Sequence, residues 1–227
     1  MAVDVRFLGQ SCFELKAGDT TVLTDPFLTG NPLAAASADE VEPDVILLTH
    51  GHQDHFGDTV DIANRTGATV VAITELADEL SESVENVLDP NLGGTVAFDW
   101  GWVKLVPAWH TATSPKGTPH SPAGLLIHIG DRLIYHLGDT ALFSDMKLIA
   151  QRGDKVDLAL VPIGGHYTMD RHDAVEAARL IGAKTVVPMH YDTFPPIETD
   201  AQAFKADVEA QTSSRVVVLA PGETWSP

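Results

Sequence analysis

The sequence predicts an α/β protein in which two sheets pack face to face and helices cover the outside. Three observations predict it. Short β-prone runs cluster in residues 3–24 and again in 95–136. Each cluster gives way to alternating strand and helix patterns. Between them, Asp44-Val-Ile-Leu-Leu is apolar almost throughout, as a strand buried on both faces is.

Taken in order, Val3–Leu8, Cys12–Leu15 and Thr20–Thr24 read as strands separated by Gly-containing turns. Asp44–Thr49 is the buried strand. A helix is expected from about Phe56 to Thr66, then a strand at Thr69–Ile73 and a helix at Glu75–Ser83. The middle returns to strands at Thr95–Phe98, Val103–Ala108, Gly124–Ile129 and Arg132–His136. The last third alternates: strand Leu158–Pro162, helix Asp170–Ile181, strand Thr185–Pro188, helix Asp200–Gln211, strand Val216–Leu219. The plan of strands first and alternation afterwards occurs twice, although no sequence identity between the halves is evident. No segment reads as a linker, so residues 1–227 are expected to form one domain.

Composition narrows the partners. The 14 basic against 32 acidic residues leave a formal charge of −18. Such a surface repels phosphate backbones over about 8 Å in physiological salt, so nucleic acid and anionic membrane are poor partners. The longest apolar runs are strand-sized, far short of a bilayer span. The first residues, Met1-Ala-Val-Asp-Val-Arg, show no basic region followed by an apolar stretch, and a cytoplasmic location is the expectation. Cys12 stands alone, which excludes an internal disulfide and a multi-cysteine zinc site. It reads as a small core residue.

The segment Thr49-His50-Gly51-His52-Gln53-Asp54-His55-Phe56 places four potential ligands directly after a buried strand. A chance H-x-H-x-D-H in a chain of this composition has a probability of about 0.2%. The bland alternative is a polar loop with histidines at a helix start. In extended chain His50 and His52 point to one side. Asp54 and His55 come as the chain turns into the next helix and can face a neighbouring point. One strand end can thus serve two cations. Histidine and carboxylate without thiolate suit zinc, manganese or iron. Three further candidates end apolar strands: His110 after Val103-Lys-Leu-Val-Pro-Ala-Trp, Asp139 after Arg132-Leu-Ile-Tyr-His-Leu-Gly, and His190 after Thr185-Val-Val-Pro-Met.

The order H-x-H-x-D-H, then H, then D, then H resembles that of the metallo-β-lactamase superfamily. Thr24-Asp25-Pro26 looks like its early strand-end aspartate. The opening Leu8-Gly9-Gln10-Ser11-Cys12-Phe13 and the later Gly164-Gly165-His166 look most like a branch of metal-dependent hydrolases related to the ascorbate-6-phosphate lactonases. The resemblance runs from about Phe7 to Phe194. It implies a four-layer αββα sandwich, in agreement with the element order. It further implies two divalent ions, zinc or manganese first and iron or nickel as alternatives. His50, His52 and His110 would hold one ion; Asp54, His55 and His190 the other; Asp139 would bridge them. A hydroxide between the ions would attack a small-molecule lactone, thioester or phosphodiester, oriented by Asp54.

Other residues carry two readings each. His166 follows a strand and two glycines and is a candidate substrate contact or proton donor, against an ordinary loop histidine. Tyr191 and Tyr167 are weaker candidates for substrate contact. Asp25 reads as a carboxylate that fixes a ligand histidine. His120, in a loop rich in turn residues, reads as mobile surface in preference to a pocket cap. His136 reads as packed behind the site, His128 and His172 as surface. A nuclease of the same fold, a redox enzyme on an iron site and a non-catalytic metal-dependent sensor are the competing functions; homo-oligomerisation stays open.

Overall fold

A computed structural model describes residues 1–149 and 155–226. The chain opens with β1 (Asp4–Gly9), β2 (Cys12–Ala17), β3 (Thr20–Thr24) and β4 (Val45–Leu47). Then come α1 (Gln53–Phe56), α2 (Thr59–Thr66), β5 (Thr69–Val71), α3 (Thr74–Leu80) and β6 (Val87–Leu88). The second half contains β7 (Thr95–Phe98), β8 (Gly101–Pro107), β9 (Ala123–Ile129), β10 (Arg132–His136) and α4 (Met146–Ile149). It continues through β11 (Leu158–Pro162), α5 (Arg171–Ile181), β12 (Thr185–Met189) and α6 (Ala201–Gln211) to β13 (Arg215–Val216) and β14 (Thr224–Trp225).

The strands form two sheets. The first runs β14-β1-β2-β3-β4-β5-β6 and the second β13-β12-β11-β10-β9-β8-β7. Both are antiparallel at one end and parallel at the other. Alternation along the strands builds the layers. Leu158 and Leu160 of β11 join the core between the sheets, while Ala159 and Val161 face a second cluster with Ala177 and Ala178 of α5 and Phe204 and Val208 of α6. Across the molecule, Ile62 of α2 and Leu76 and Leu80 of α3 close the outer face of the first sheet. The result is a four-layer αββα sandwich. Side-chain caps fix two helix starts: Asp170 accepts from His172 N and Asp173 N, and Asp200 accepts from Gln202 N and Ala203 N.

Strand direction explains why one edge gathers chemistry. β8 and β10 are both antiparallel to β9, and β10, β11 and β12 are parallel. Their C-terminal ends therefore emerge together. In the other sheet β1 and β3 are both antiparallel to β2, and β4 is parallel to β3. At this edge also sit the positive-φ non-glycine residues Gln10, Asp25, His166, His190 and Asp192. Such backbone costs on the order of 1–3 kcal/mol each and persists where surrounding structure holds it.

The helix expected from Phe56 to Thr66 is broken. Gly57 interrupts it at φ 40°, and α2 starts afresh at Thr59. A Cβ on Gly57 would come 2.6 Å from Phe27 Cα and closer still to the Pro26 carbonyl. This close approach lets the loop after β3 lie against the ligand-bearing turn. Gly57→Ala is expected to lower the unfolding free energy by about 2–3 kcal/mol. Urea denaturation checks it, and an unchanged midpoint would show that the two loops can part at no cost. Short elements lacking periodicity, β6, α4 and β14, have no counterpart in the sequence reading; β14 forms only by pairing with β1.

Candidate metal centre

The loops after β4, β8, β10 and β12 bring seven side chains into one place. His50, His52 and His110 offer donor atoms within 4.8 Å of one another, and so do Asp54, His55 and His190. Asp139 stands between the groups. Its Oδ2 lies 3.6 Å from His110 Nε2, 4.0 Å from His50 Nε2 and 3.2 Å from His190 Nε2, while Oδ1 lies 3.3 Å from His55 Nε2. The loops are cross-tied. Thr140, beside Asp139, accepts a hydrogen bond from Trp109 N, beside His110, at 2.9 Å.

Most of these groups are out of water. His50, His55, Asp139 and His190 are buried. His55 Nε2, Asp139 Oδ1 and His190 Nε2 find no hydrogen-bond partner among the described residues. Each such atom costs about 1–3 kcal/mol if left unsatisfied. All three face a common focus, and hard and borderline donors converging on it fit divalent cations.

Electrostatics divides the two groups. Burial holds His50, His52 and His110 below the ordinary imidazole pKa. Burial opposes charge on His55 and His190 too, but there carboxylates prevail. Asp139, Asp25 and Asp54 raise His55 well above its usual value. Asp139 and Asp54 bring His190 to about 9. Against their own burial, Asp54 and Asp139 are held low by these two imidazoles. A set of carboxylates that draws protons onto neighbouring imidazoles is one that a cation would occupy in their stead.

The supporting residues are equally specific. Asp25 is fully buried. Its Oδ1 accepts from Thr49 N at 2.8 Å. Oδ2 takes Thr49 Oγ1 and His55 Nδ1, each at 2.7 Å. His55 Nδ1 is thereby the protonated nitrogen and Nε2 faces the focus. His136 is buried behind the site, donating from Nε2 to the Ser11 carbonyl and accepting at Nδ1 from Gly138 N. Cys12 lies in the core between the sheets.

Two supporting residues escaped the sequence reading. Gln10 donates from Nε2 to Asp54 Oδ2 at 2.8 Å, and its carbonyl accepts from His190 N at 2.8 Å. One residue on a strained turn thus ties two candidate ligands of the same group. Gln10→Ala is expected to weaken divalent-cation binding at the group Asp54, His55 and His190 by about 10–100-fold. Competition against a fluorescent chelator measures it, and an unchanged affinity would mean that Asp54 needs no tether. The second is His120. It is not loose surface: it is half-buried, accepts from Gly51 N at Nε2 (3.0 Å) and donates from Nδ1 to the Thr118 carbonyl. It props the turn between His50 and His52.

A cavity of about 670 Å³ opens above the centre, lined by Phe27, His52, Gln53, Asp54, His110, Thr111, Asp139, Tyr167, His190, Phe194 and Pro196. His166 and Tyr191 are absent from that lining. His166 is exposed at φ 30°, its ring edge-on to Tyr167. Tyr191 packs on the second hydrophobic cluster, where burial pushes its phenol up to about 12. Tyr167, the neighbour of His166 and also exposed, is among the lining residues. His128 stacks on Trp102, and His172 is exposed. No helix among the described residues is long and apolar enough to cross a membrane.

The chain was compared with known proteins. A family model described as a beta-lactamase superfamily domain matches residues 4–190. The UPF0173 metal-dependent hydrolase of Thermus thermophilus is 48% identical over 222 residues, covering 97% of each chain. A namesake from Methanopyrus kandleri is 44% identical over 227 residues, covering 97% of this chain and 98% of its own. Among solved structures, the metallo hydrolase Igni18 of Ignicoccus hospitalis superposes with a TM-score of 0.91 at 35% identity, over 100% of this chain and 99% of that one. Fold, donor set and sequence agree: this chain belongs to the metallo-β-lactamase superfamily and, within it, to the family of the UPF0173 metal-dependent hydrolases.

Proposed function

We propose that the chain is a hydrolase that uses two divalent cations, zinc or manganese, to cleave an ester-like bond in a small molecule. The observation that carries this is the pair of three-donor groups sharing Asp139 between them. In this reading His50, His52 and His110 would hold one cation and Asp54, His55 and His190 the second, with the Asp139 carboxylate available to both. When bound, such ions lower the pKa of water from 15.7 to about 7 and polarise a substrate oxygen.

The chain's own residues do the rest. Asp25 and Thr49 lock the His55 ring, so that its free nitrogen is presented without rearrangement. Gln10 fixes the Asp54 carboxylate at the cavity wall, where it would orient the attacking water. His120 and Thr140 hold the two loops that carry the neutral histidines. The proposal gives His166 no step, since its ring lies outside the wall.

Metal analysis of the untagged protein comes first, followed by bis-p-nitrophenyl phosphate, lactones and thioesters with added zinc or manganese. Turnover is expected in the presence of about two ions per chain. Chelation is expected to remove it and metal to restore it. Silence across the panel with both ions bound would refute the hydrolase reading and favour a sensor.

A further inference from the structure

The cavity wall, once the five metal-facing residues on it are set aside, consists of Phe27, Gln53, Thr111, Tyr167, Phe194 and Pro196. Two features stand out. Four of the six are aromatic or proline, and none is cationic. The rings of Phe27 and Phe194 lie 6.3 Å apart, tilted at 32°, on loops that follow strands of opposite sheets. Gln53, Thr111, Phe194 and Pro196 share loops with candidate ligands, and Phe27 shares one with the supporting Asp25. Phe27 lies two residues after Asp25, and its N donates to the Asp25 carbonyl at 2.8 Å. Gln53 sits between His52 and Asp54, and Thr111 follows His110. Phe194 precedes the 3₁₀ turn Pro195–Ile197, whose prolines limit the backbone. The two phenylalanines are thereby anchored, and the wall around them is largely apolar.

We propose that the substrate carries a neutral aryl or branched alkyl group beside its scissile bond, packed against the adjoining rings of Phe27 and Phe194, and that it bears no phosphate or carboxylate there. This rests on the two-cation hydrolase reading for the position of the scissile bond. The physical ground is desolvation. An anionic group entering this part of the cavity loses water and meets no guanidinium or ammonium among the described lining residues, whereas an apolar ring loses nothing it needs and gains dispersion contacts. The net charge of −18 adds long-range repulsion against anions. A volume of about 670 Å³ leaves room for a group well beyond a bare ester.

Hydroxamates grip paired cations through a common head, so their tails probe the wall without any turnover. Benzohydroxamate, 4-carboxybenzohydroxamate and acetohydroxamate are titrated calorimetrically into the zinc-loaded full chain. Benzohydroxamate is expected to bind at least about tenfold tighter than either of the others. Phe194→Ala should bring benzohydroxamate down to the acetohydroxamate level while leaving acetohydroxamate itself unchanged, which shows the cations undisturbed. Phe194→Leu, which keeps the apolar bulk, should retain most of the preference. Equal or tighter binding of the carboxylate, indifference to Phe194→Ala, or no binding of any of the three would overturn the proposal. A protein that shows the expected order yet hydrolyses nothing would sink the hydrolase reading and leave only the wall's preference for a neutral apolar ligand. One that hydrolyses but prefers the anionic tail would do the reverse.

Discussion

Replacing Asp139 by alanine is expected to cut hydrolysis by at least ~10³-fold, about 4 kcal/mol of transition-state stabilisation, and to leave fewer than two ions per chain. The expectation follows from position. One carboxylate lies within 3.2–3.6 Å of His190, His55 and His110 and at 4.0 Å from His50. No other side chain described here approaches both three-donor groups so evenly. Its removal takes a full negative charge from the focus and would leave the two proposed cations to repel each other unscreened. Asp139→Asn keeps the shape and loses the charge, and should be nearly as damaging. The fold should survive, because Asp139 lies beyond the end of β10 and the core between the sheets does not include it. Metal content, circular dichroism and kcat/KM on one preparation decide the matter. Near-normal turnover by an Asp139→Ala protein that still binds two ions would remove the basis of the proposed mechanism.

Asp25→Ala is expected to act on stability as well as affinity. Three hydrogen bonds end on this fully buried carboxylate, from Thr49 N, Thr49 Oγ1 and His55 Nδ1. Alanine leaves a buried backbone N–H without a partner and a buried imidazole without its orienting anion. The expected loss is about 3 kcal/mol in urea unfolding of the metal-free protein, with a 10–100-fold weaker second ion in the loaded one. Asp25→Asn keeps an acceptor for Thr49 N and should lose less. If the Asp25→Ala midpoint equals that of the parent, the carboxylate is not what holds the His55 ring.

Both predictions concern residues that could be named before any fold was known. Asp139 follows an apolar strand run, and Asp25 follows another. Functional groups gather at strand ends because the strand interior must bury its side chains while the loop after it need not. Gln10 shows the opposite case. Its side chain reaches a carboxylate 44 residues away, and nothing around it announces a polar role, because a β-turn glutamine is ordinary. His120 was equally opaque, since a loop full of Gly, Pro and Ser reads as mobile unless its hydrogen bonds to the next loop are visible. The wall residues Phe27 and Phe194 sit in no motif that sets them apart from other aromatics.

What the sequence alone determined was the layered α/β class, the acidic surface and the seven candidate donors, all of which rest on local periodicity and on residue chemistry. The tertiary structure decided which donors meet, which nitrogen of His55 faces the focus, that Tyr167 and not His166 or Tyr191 borders the cavity, and that α1 and α2 part at Gly57. Those outcomes depend on contacts between segments far apart in the chain. Local patterns report what a segment prefers to bury; they carry no record of what will stand opposite it.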